Sequence, residues 1–311
     1  MMAQVVIPEV HTFGHIAARA KRATAGNRVK AALVGESSPD SLEAFFLAAG
    51  EGLITPTLIG KETAFREAAG EDRISLENLA FIDDAEPESS VRTAVSMARD
   101  GQIDLIVADE LSTRLMVEML ADRQLDLVVK GRTASHVAVL QPATYAKLLL
   151  LSDSLINPQP DLKAKLALID NLARVSESIG IGKPRVALLA AVEVIYPQML
   201  VTTEAAVISK MADRRQIKAA YVDGPLSFDV AIDMPAAVSK GITSSEVAGQ
   251  ADAFLAPNIE VAHGVYCAMS LYCDCPAGGV IVGTRVPVAA AFRSDTVESR
   301  YNSILLGILS R

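Results

Sequence analysis

The chain of 311 residues has no tryptophan, three cysteines and four histidines. Three thiols, Cys267, Cys273 and Cys275, cannot build a disulfide framework. They fit a reducing, cytoplasmic compartment. Cys273-x-Cys275 has no second Cys pair or His pair to complete four ligands. It reads as thiols at a helix end, and no metal is expected. His11 and His15 lie four apart on a predicted helix, but no Glu stands between them. They read as surface or packing residues.

No basic stretch precedes an apolar run in residues 1–10. No window of about 18 apolar residues exists either, so neither a signal peptide nor a membrane span is expected. The net charge is −8 and no dense basic run exists. That argues against nucleic acid and against an acidic membrane surface as partners. An acidic chain that binds a phosphorylated ligand must gather its positive charge locally. After the first predicted strand stands Val34-Gly35-Glu36-Ser37-Ser38, with no G-x-G-x-x-G. Walker and G-x-S-x-G loops are missing too, which argues against nicotinamide binding, nucleotide hydrolysis and serine hydrolysis.

What is present is a globular composition. Half the residues are apolar and 21% are charged, ample for a core. The length fits two domains. Continuous apolar runs mark buried strands, and single helical patterns separate them. The predicted order begins with strand 29–35 and a helix capped by Asp40 or Ser41. Strand 52–60, helix 62–70, strand 79–83, helix 89–100, strand 104–108 and helix 111–121 follow. Strands 136–140 and 148–151 pair across a turn at Gln141-Pro142, before helix Leu162–Ile179. The last part reads strand 185–191, helix 203–213, strand 219–222, helix 227–240, strand 253–256, helix 263–272, strands 279–282 and 287–291, and helix 295–309.

Strands joined by single helices mean βαβ units, hence a mainly parallel sheet covered on both faces. The expected fold is two-domain, three-layer α/β/α. Residues 1–140 with 284–311 form one predicted domain and 141–283 the other, with an active-site cleft between them.

Ligands of parallel α/β sheets bind at the carboxyl ends of the strands, where helix N-termini and loop amides converge. Polar residues at those predicted ends are Ser112, Thr113, Asp153, Asn157, Glu193, Asp223, Glu260, His263 and Arg293. Any one of them can do no more than cap the following helix. Grouped at one edge, they make a candidate site.

The wording of these segments is similar to a known family. It is carried by Ser135-His136-Val137-Ala138-Val139, by Ser152-Asp153-Ser154-Leu155-Ile156-Asn157-Pro158 and by Ala191-Val192-Glu193. Asp223-Gly224-Pro225-Leu226-Ser227-Phe228-Asp229, Lys240-Gly241-Ile242 and Pro257-Asn258-Ile259-Glu260 continue it. Val282-Gly283-Thr284-Arg285-Val286-Pro287 and Arg293-Ser294-Asp295 complete it. From residue 89 onward the chain resembles the phosphate acetyl/butyryl transferases, or phosphotransacylases, and their butyryl-type branch most.

The resemblance implies an isocitrate/isopropylmalate dehydrogenase-like architecture and assembly as a homodimer or higher homo-oligomer. It implies acyl transfer between coenzyme A, a substrate, and inorganic phosphate, with acyl phosphate as the other partner and no covalently bound cofactor. Arg293, Ser112 and Thr113 are then the catalytic positions. Asp153, Asn157, Glu193, Asp223, Gly224, Pro225, Glu260, His263, Phe292 and Asp295 are then substrate-binding ones. The chemistry of Arg293 suits phosphate as well, since a guanidinium meets two phosphate oxygens at once; its other reading is a surface ion pair with Asp295 or Glu298.

The chain departs from the family pattern at several of these places. Ala108, Asp109 and Glu110 stand where the family has Lys-Gly before its Ser-Thr. Phe292 replaces a Ser, Gln198 a Lys, and Val230 and His263 each an Asn. Two carboxylates at 4–5 Å from a bound phosphate would cost about 3–4 kcal/mol at an effective dielectric of 20. A second reading follows from these changes: a family member impaired in catalysis that binds an acyl-coenzyme A or another metabolite.

Overall fold

The computed structural model describes residues 9–35, 38–73, 76, 79–122 and 124–311. They fall into two compact units. A flanking unit combines Phe13–Ala134 with Pro276–Arg311. A central unit combines Ser135–Cys275 with the described residues before Phe13.

The flanking unit begins with α1 (Phe13–Thr24), β1 (Val29–Val34), α2 (Pro39–Gly50), β2 (Ile54–Gly60), α3 (Glu62–Arg73) and β3 (Ala80–Asp83). Then come α4 (Pro87–Arg99), β4 (Leu105–Ala108) and α5 (Glu110–Leu120). All of β4 is buried, as its unbroken Leu-Ile-Val-Ala run requires of a strand covered on both faces.

His11 precedes α1 while His15 lies on it, so they do not share one helical face. The cap of α2 is Ser38, not Asp40 or Ser41. Its hydroxyl accepts from the Ser41 amide at 3.2 Å. Pro39 takes the first helical position, where no N–H is needed.

The central unit follows with β5 (Ser135–Leu140), β6 (Leu149–Ser152), α6 (Leu162–Ile179), β7 (Arg185–Leu189), α7 (Leu200–Asp213) and β8 (Tyr221–Leu226). It ends with α8 (Phe228–Ile232), α9 (Met234–Ser239), β9 (Ala253–Leu255) and α10 (Ile259–Cys267), which runs on as a π-helical turn over Ala268–Tyr272. Its strands lie in the order β5-β6-β9-β7-β8. Only β5 is antiparallel to its neighbour there.

α6 has the predicted bounds. Asp161 caps it by accepting from the Ala164 amide at 2.7 Å. Gly180 ends it at φ +97°, a left-handed geometry that costs glycine nothing.

Three central elements differ from expectation. Asp223, Gly224 and Pro225 belong to β8 itself rather than to a loop after it. They stay in the ladder because Ala187 pairs with Asp223 and Leu189 with Leu226 across an irregularity. The single helix expected over 227–240 is two. Asp233 leaves helical geometry between them, and its side chain caps the second by accepting from the Ala236 amide at 3.0 Å. The last helix starts at Ile259 because Asn258 caps it, four residues before His263.

The flanking unit closes with β10 (Ala277–Val282), β11 (Val288–Ala290) and α11 (Val297–Leu309). Its strand order is β3-β2-β1-β4-β11-β10. β1, β2, β3, β4 and β11 run parallel, and β10 is antiparallel to β11.

Candidate functional site

In the flanking unit the neighbouring strands β1, β4 and β11 all end at the same edge. Three elements follow those ends: α2 with its cap Ser38 after β1, α5 directly after β4, and a turn that leads from β11 into α11. Arg293 lies exposed in the third. Its turn is closed on both sides. The Asp295 carboxylate accepts from the Phe292 amide at 2.8 Å, and the Asp295 amide donates to the Phe292 carbonyl at 3.1 Å. Asp295 is buried, so it shapes this turn.

Arg300, on the first turns of α11, is 6% exposed. Its Nε donates to the Asp295 carbonyl at 3.2 Å and its Nη2 to the Phe292 carbonyl at 3.3 Å. Its Nη1 donates to Ser41 Oγ at 2.7 Å and lies 3.6 Å from the Asp109 carboxylate. Asp109 is buried as well and accepts from the Ser38 amide at 2.6 Å. The carboxylate expected to repel phosphate thus has a cation beside it and an amide on it. Thr113 is buried, with its hydroxyl donated to the Ala108 carbonyl at 3.2 Å. Ser112 lies in the first turn of α5, and its side chain is outside the described residues.

In the central unit the loop after β6 is organised by Asp153, which is 3% exposed. Its carboxylate accepts from the Leu155 and Ile156 amides at 2.9 and 3.0 Å and from Asn157 Nδ2 at 2.6 Å. Burial raises its pKa, against these hydrogen bonds and one from the His136 backbone. Asp153 and Asn157 therefore come together, each holding the other.

Beside them His136 is fully buried, with Nδ1 at 2.9 Å from Ser154 Oγ. Burial, assisted by the field of His263, pushes its pKa down to about 3, so it is neutral at physiological pH. His263 itself is exposed on α10, one turn from Cys267, whose sulfur lies 3.5 Å from its Nε2. Glu260 is exposed in the first turn of the same helix, where an acidic residue suits the dipole.

Glu193, after β7, accepts from the Ser227 hydroxyl and from Lys240 Nζ, the latter at 3.0 Å. Burial alone would raise its pKa, but the hydroxyl and the ammonium outweigh it and hold the group below the usual carboxylate range. Asp223 accepts from Ser209 Oγ at 3.0 Å and from the Gly224 amide at 2.8 Å. Gly224 is required by packing: a Cβ there would lie 2.6 Å from Leu188 Cβ. Pro225 follows through a cis peptide.

The structure thus groups Asp153 with Asn157, Glu193 with Lys240, and Phe292 with Asp295. Sequence reasoning missed Arg300, Ser38, Ser41 and His136 as site-shaping residues. Arg300 stands among Glu298, Ser299, Asn302 and Ser303 in the polar first half of the last helix, where a charge reads as a solvated face, so it gives no signal of its own. Among the described residues no group of His, Cys, Asp and Glu side chains is placed to hold a metal ion. Among them, too, no helix is long and apolar enough to cross a membrane.

Comparison with known proteins places the chain in a family. Residues 87–308 match the family model described as Phosphate acetyl/butaryl transferase. The chain is 36% identical to phosphate butyryltransferase of Clostridium acetobutylicum, over 86% of this chain and 88% of that protein. It is 35% identical to phosphate acetyltransferase of Rhizobium meliloti, over 84% and 82%. Among solved structures, a branched-chain phosphotransacylase from Enterococcus faecalis V583 matches with TM-score 0.77 at 25% identity, covering 91% of this chain and 98% of that one.

Proposed function

The chain belongs to the phosphate acetyl/butyryl transferase family, and from that premise we propose that it moves a short acyl group between coenzyme A and inorganic phosphate. The observation that carries this reading is the likeness, along nearly the whole chain, to a phosphate butyryltransferase. A phosphate oxygen attacks the thioester carbonyl, the carbon–sulfur bond breaks, and coenzyme A leaves as thiolate while acyl phosphate forms. Arg293 takes two phosphate oxygens. The first turn of α5, with Ser112 and Thr113, offers backbone amides to the anion. The Thr113 hydroxyl donates to the Ala108 carbonyl and its amide to the Asp109 carbonyl at 2.6 Å, so Thr113 serves by closing the turn that starts α5.

Phe292 stands where the family has a serine, so the leaving sulfur receives no hydroxyl hydrogen bond from that position. A thiol with a pKa near 8.5 departs as thiolate without one. What remains for the protein is to hold the two reactants together. That positioning can supply roughly 7–11 kcal/mol.

In this reading Asp153, Asn157, Glu193, Asp223, Gly224, Pro225, Glu260 and His263 shape the substrate's surroundings, as do Phe292 and Asp295. Their interlocked hydrogen bonds support that role by fixing the loops they stand on. Homo-oligomeric assembly belongs to the same proposal. Val194, Ile195, Tyr196 and Leu200 form an exposed apolar strip before and at the start of α7 that supports it. Light scattering on the purified chain decides it: a monomeric mass rejects assembly.

The test of activity is release of free thiol, read with a thiol-reactive dye, from acetyl-, butyryl- and branched-chain acyl-coenzyme A. Phosphate-dependent release is expected. No release above background with any acyl chain overturns the reading. Coenzyme A binding by calorimetry without release would favour a binding protein instead.

A further inference from the structure

A buried guanidinium fixes geometry only as well as its partners fix it. Arg300 has partners in the turn after β11, at Asp109 just after β4, and at Ser41 in the first turn of α2, the helix that follows β1. Nε and Nη2 donate to the two carbonyls that bracket Arg293, those of Asp295 and Phe292. Nη1 donates to Ser41 Oγ and faces Asp109 at 3.6 Å. Ser41 Oγ also accepts from Ser38 Oγ at 3.1 Å, and the Ser38 amide donates to Asp109 at 2.6 Å.

Both charges are nearly dry, with side-chain exposures of 7% and 8%. A cation removed from water to this degree needs an anion beside it. Asp109 is that anion, and it in turn is held by a backbone amide at the start of α2.

We propose that Arg300 and Asp109 are a positioning pair for the transfer: the fork of Arg300 holds the Arg293 turn at the ends of β1 and β4, and Asp109 supplies the counter-charge that keeps the fork there. The inference rests on the reading of Arg293 as the phosphate ligand. Neither residue of the pair touches substrate. Arg300 acts through the Phe292 and Asp295 carbonyls, and Asp109 acts through Arg300. The fork matters as well as the charge. Lysine offers a point charge and cannot donate in two fixed directions to two carbonyls.

The pair is tested with R300Q, D109N, the double variant R300Q/D109N, and R300K, each in the full chain. Two readouts are taken: amide hydrogen exchange over 292–295 and 38–41, which needs no turnover, and KM for phosphate against kcat in thiol release. R300Q is expected to speed exchange in both segments and to raise KM for phosphate about tenfold, with a smaller change in kcat. The double variant carries no unpaired charge and is expected to exchange more slowly than R300Q, so the two effects do not multiply. R300K keeps the charge and loses the fork, so the KM defect persists while thermal stability recovers.

Unchanged exchange over 292–295 in R300Q, or single effects that simply multiply in the double variant, overturns the proposal. If R300Q does not fold, R300K with wild-type KM and wild-type exchange overturns it alone. If the wild-type chain releases no thiol, the functional reading fails, while exchange in the four variants still decides whether the pair holds the turn.

Discussion

Each unit buries a cation against a carboxylate, and the two clusters sit at opposite kinds of sheet edge. In the central unit Lys147 is 1% exposed, with Nζ at 2.5 Å from Asp252 and 2.5 Å from the Gln250 carbonyl. The other oxygen of Asp252 accepts from the Arg185 amide at 2.9 Å. These residues stand where β6, β9 and β7 begin. In the flanking unit Arg300 and Asp109 stand where β4, β1 and β11 end. The chemistry is alike, but strand starts carry no ligand loops in a parallel sheet, whereas strand ends do. Burial and pairing alone therefore do not mark a functional ion pair. In the proposed reading, the end of the strand on which it sits does.

The comparison breaks first at Lys147. Lys147→Met leaves the Asp252 carboxylate in a dry site with half its charge balance gone. Removing one partner of a buried pair costs about 3–5 kcal/mol. Denaturant unfolding is expected to show a loss of that size, with kcat/KM per folded molecule unchanged. A variant of normal stability and damaged kinetics would erase the distinction.

Arg293 is the opposite case. It is exposed, so Arg293→Ala leaves the unfolding midpoint in place. Losing a charge-assisted contact of about 2–3 kcal/mol lowers kcat/KM for phosphate by about a hundredfold. Wild-type phosphate kinetics in this variant would remove the residue from the site.

His136 gives a pH signature of the central unit alone. Its pKa is near 6.5 in the unfolded chain and about 3 in the fold. The unfolded state thus binds the extra proton between those values, and stability falls as pH drops below about 6.5. At pH 5 the loss reaches about 2 kcal/mol. The raised pKa of Asp153 works in the opposite direction, so the difference between wild type and His136→Asn isolates the histidine. The variant's stability is expected to decline less between pH 7 and pH 5. Parallel curves would mean that His136 does not titrate in this way.

The alternation of strands and helices was legible because unbroken apolar runs such as 31–34 and 105–108 admit one reading when single helices separate them. The broken helix at Asp233 was not. Its signal is a local cap competing with an apolar pattern that continues through it. The site divides in the same way. Arg293, Asp153 and Glu193 announce themselves as polar residues after apolar strands. Their partners do not, because hydrogen bonds such as Asp153 to Asn157 or Glu193 to Lys240 depend on loop paths that spacing does not encode. Asp109 is the sharpest instance. Read in sequence it is a charge hostile to phosphate. In the fold a cation from the last helix stands beside it, and no feature of the intervening chain announces that meeting.

The smallest expected effect sharpens the contrast most finely. Asp161 caps α6 of the central unit and Ser38 caps α2 of the flanking unit, each through one side-chain oxygen. Replacing either by alanine costs about 1 kcal/mol of stability. Asp161→Ala is expected to stop there, because the Asp161 carboxylate accepts from the Ala164 amide of its own helix, while the Asp153 loop is held by the Leu155, Ile156 and Asn157 contacts. Ser38→Ala also removes the hydroxyl that donates to Ser41 Oγ, the acceptor of Arg300 Nη1. Its amide still donates to Asp109, so the charge pair survives with a looser fork. A KM for phosphate raised two- to threefold, about 0.5 kcal/mol, in Ser38→Ala and unchanged in Asp161→Ala is the expected outcome. Equal kinetics in two variants of equal stability loss would mean that the α2 cap is structural alone, and that the coupling of the strand-end turns runs through Asp109 without it.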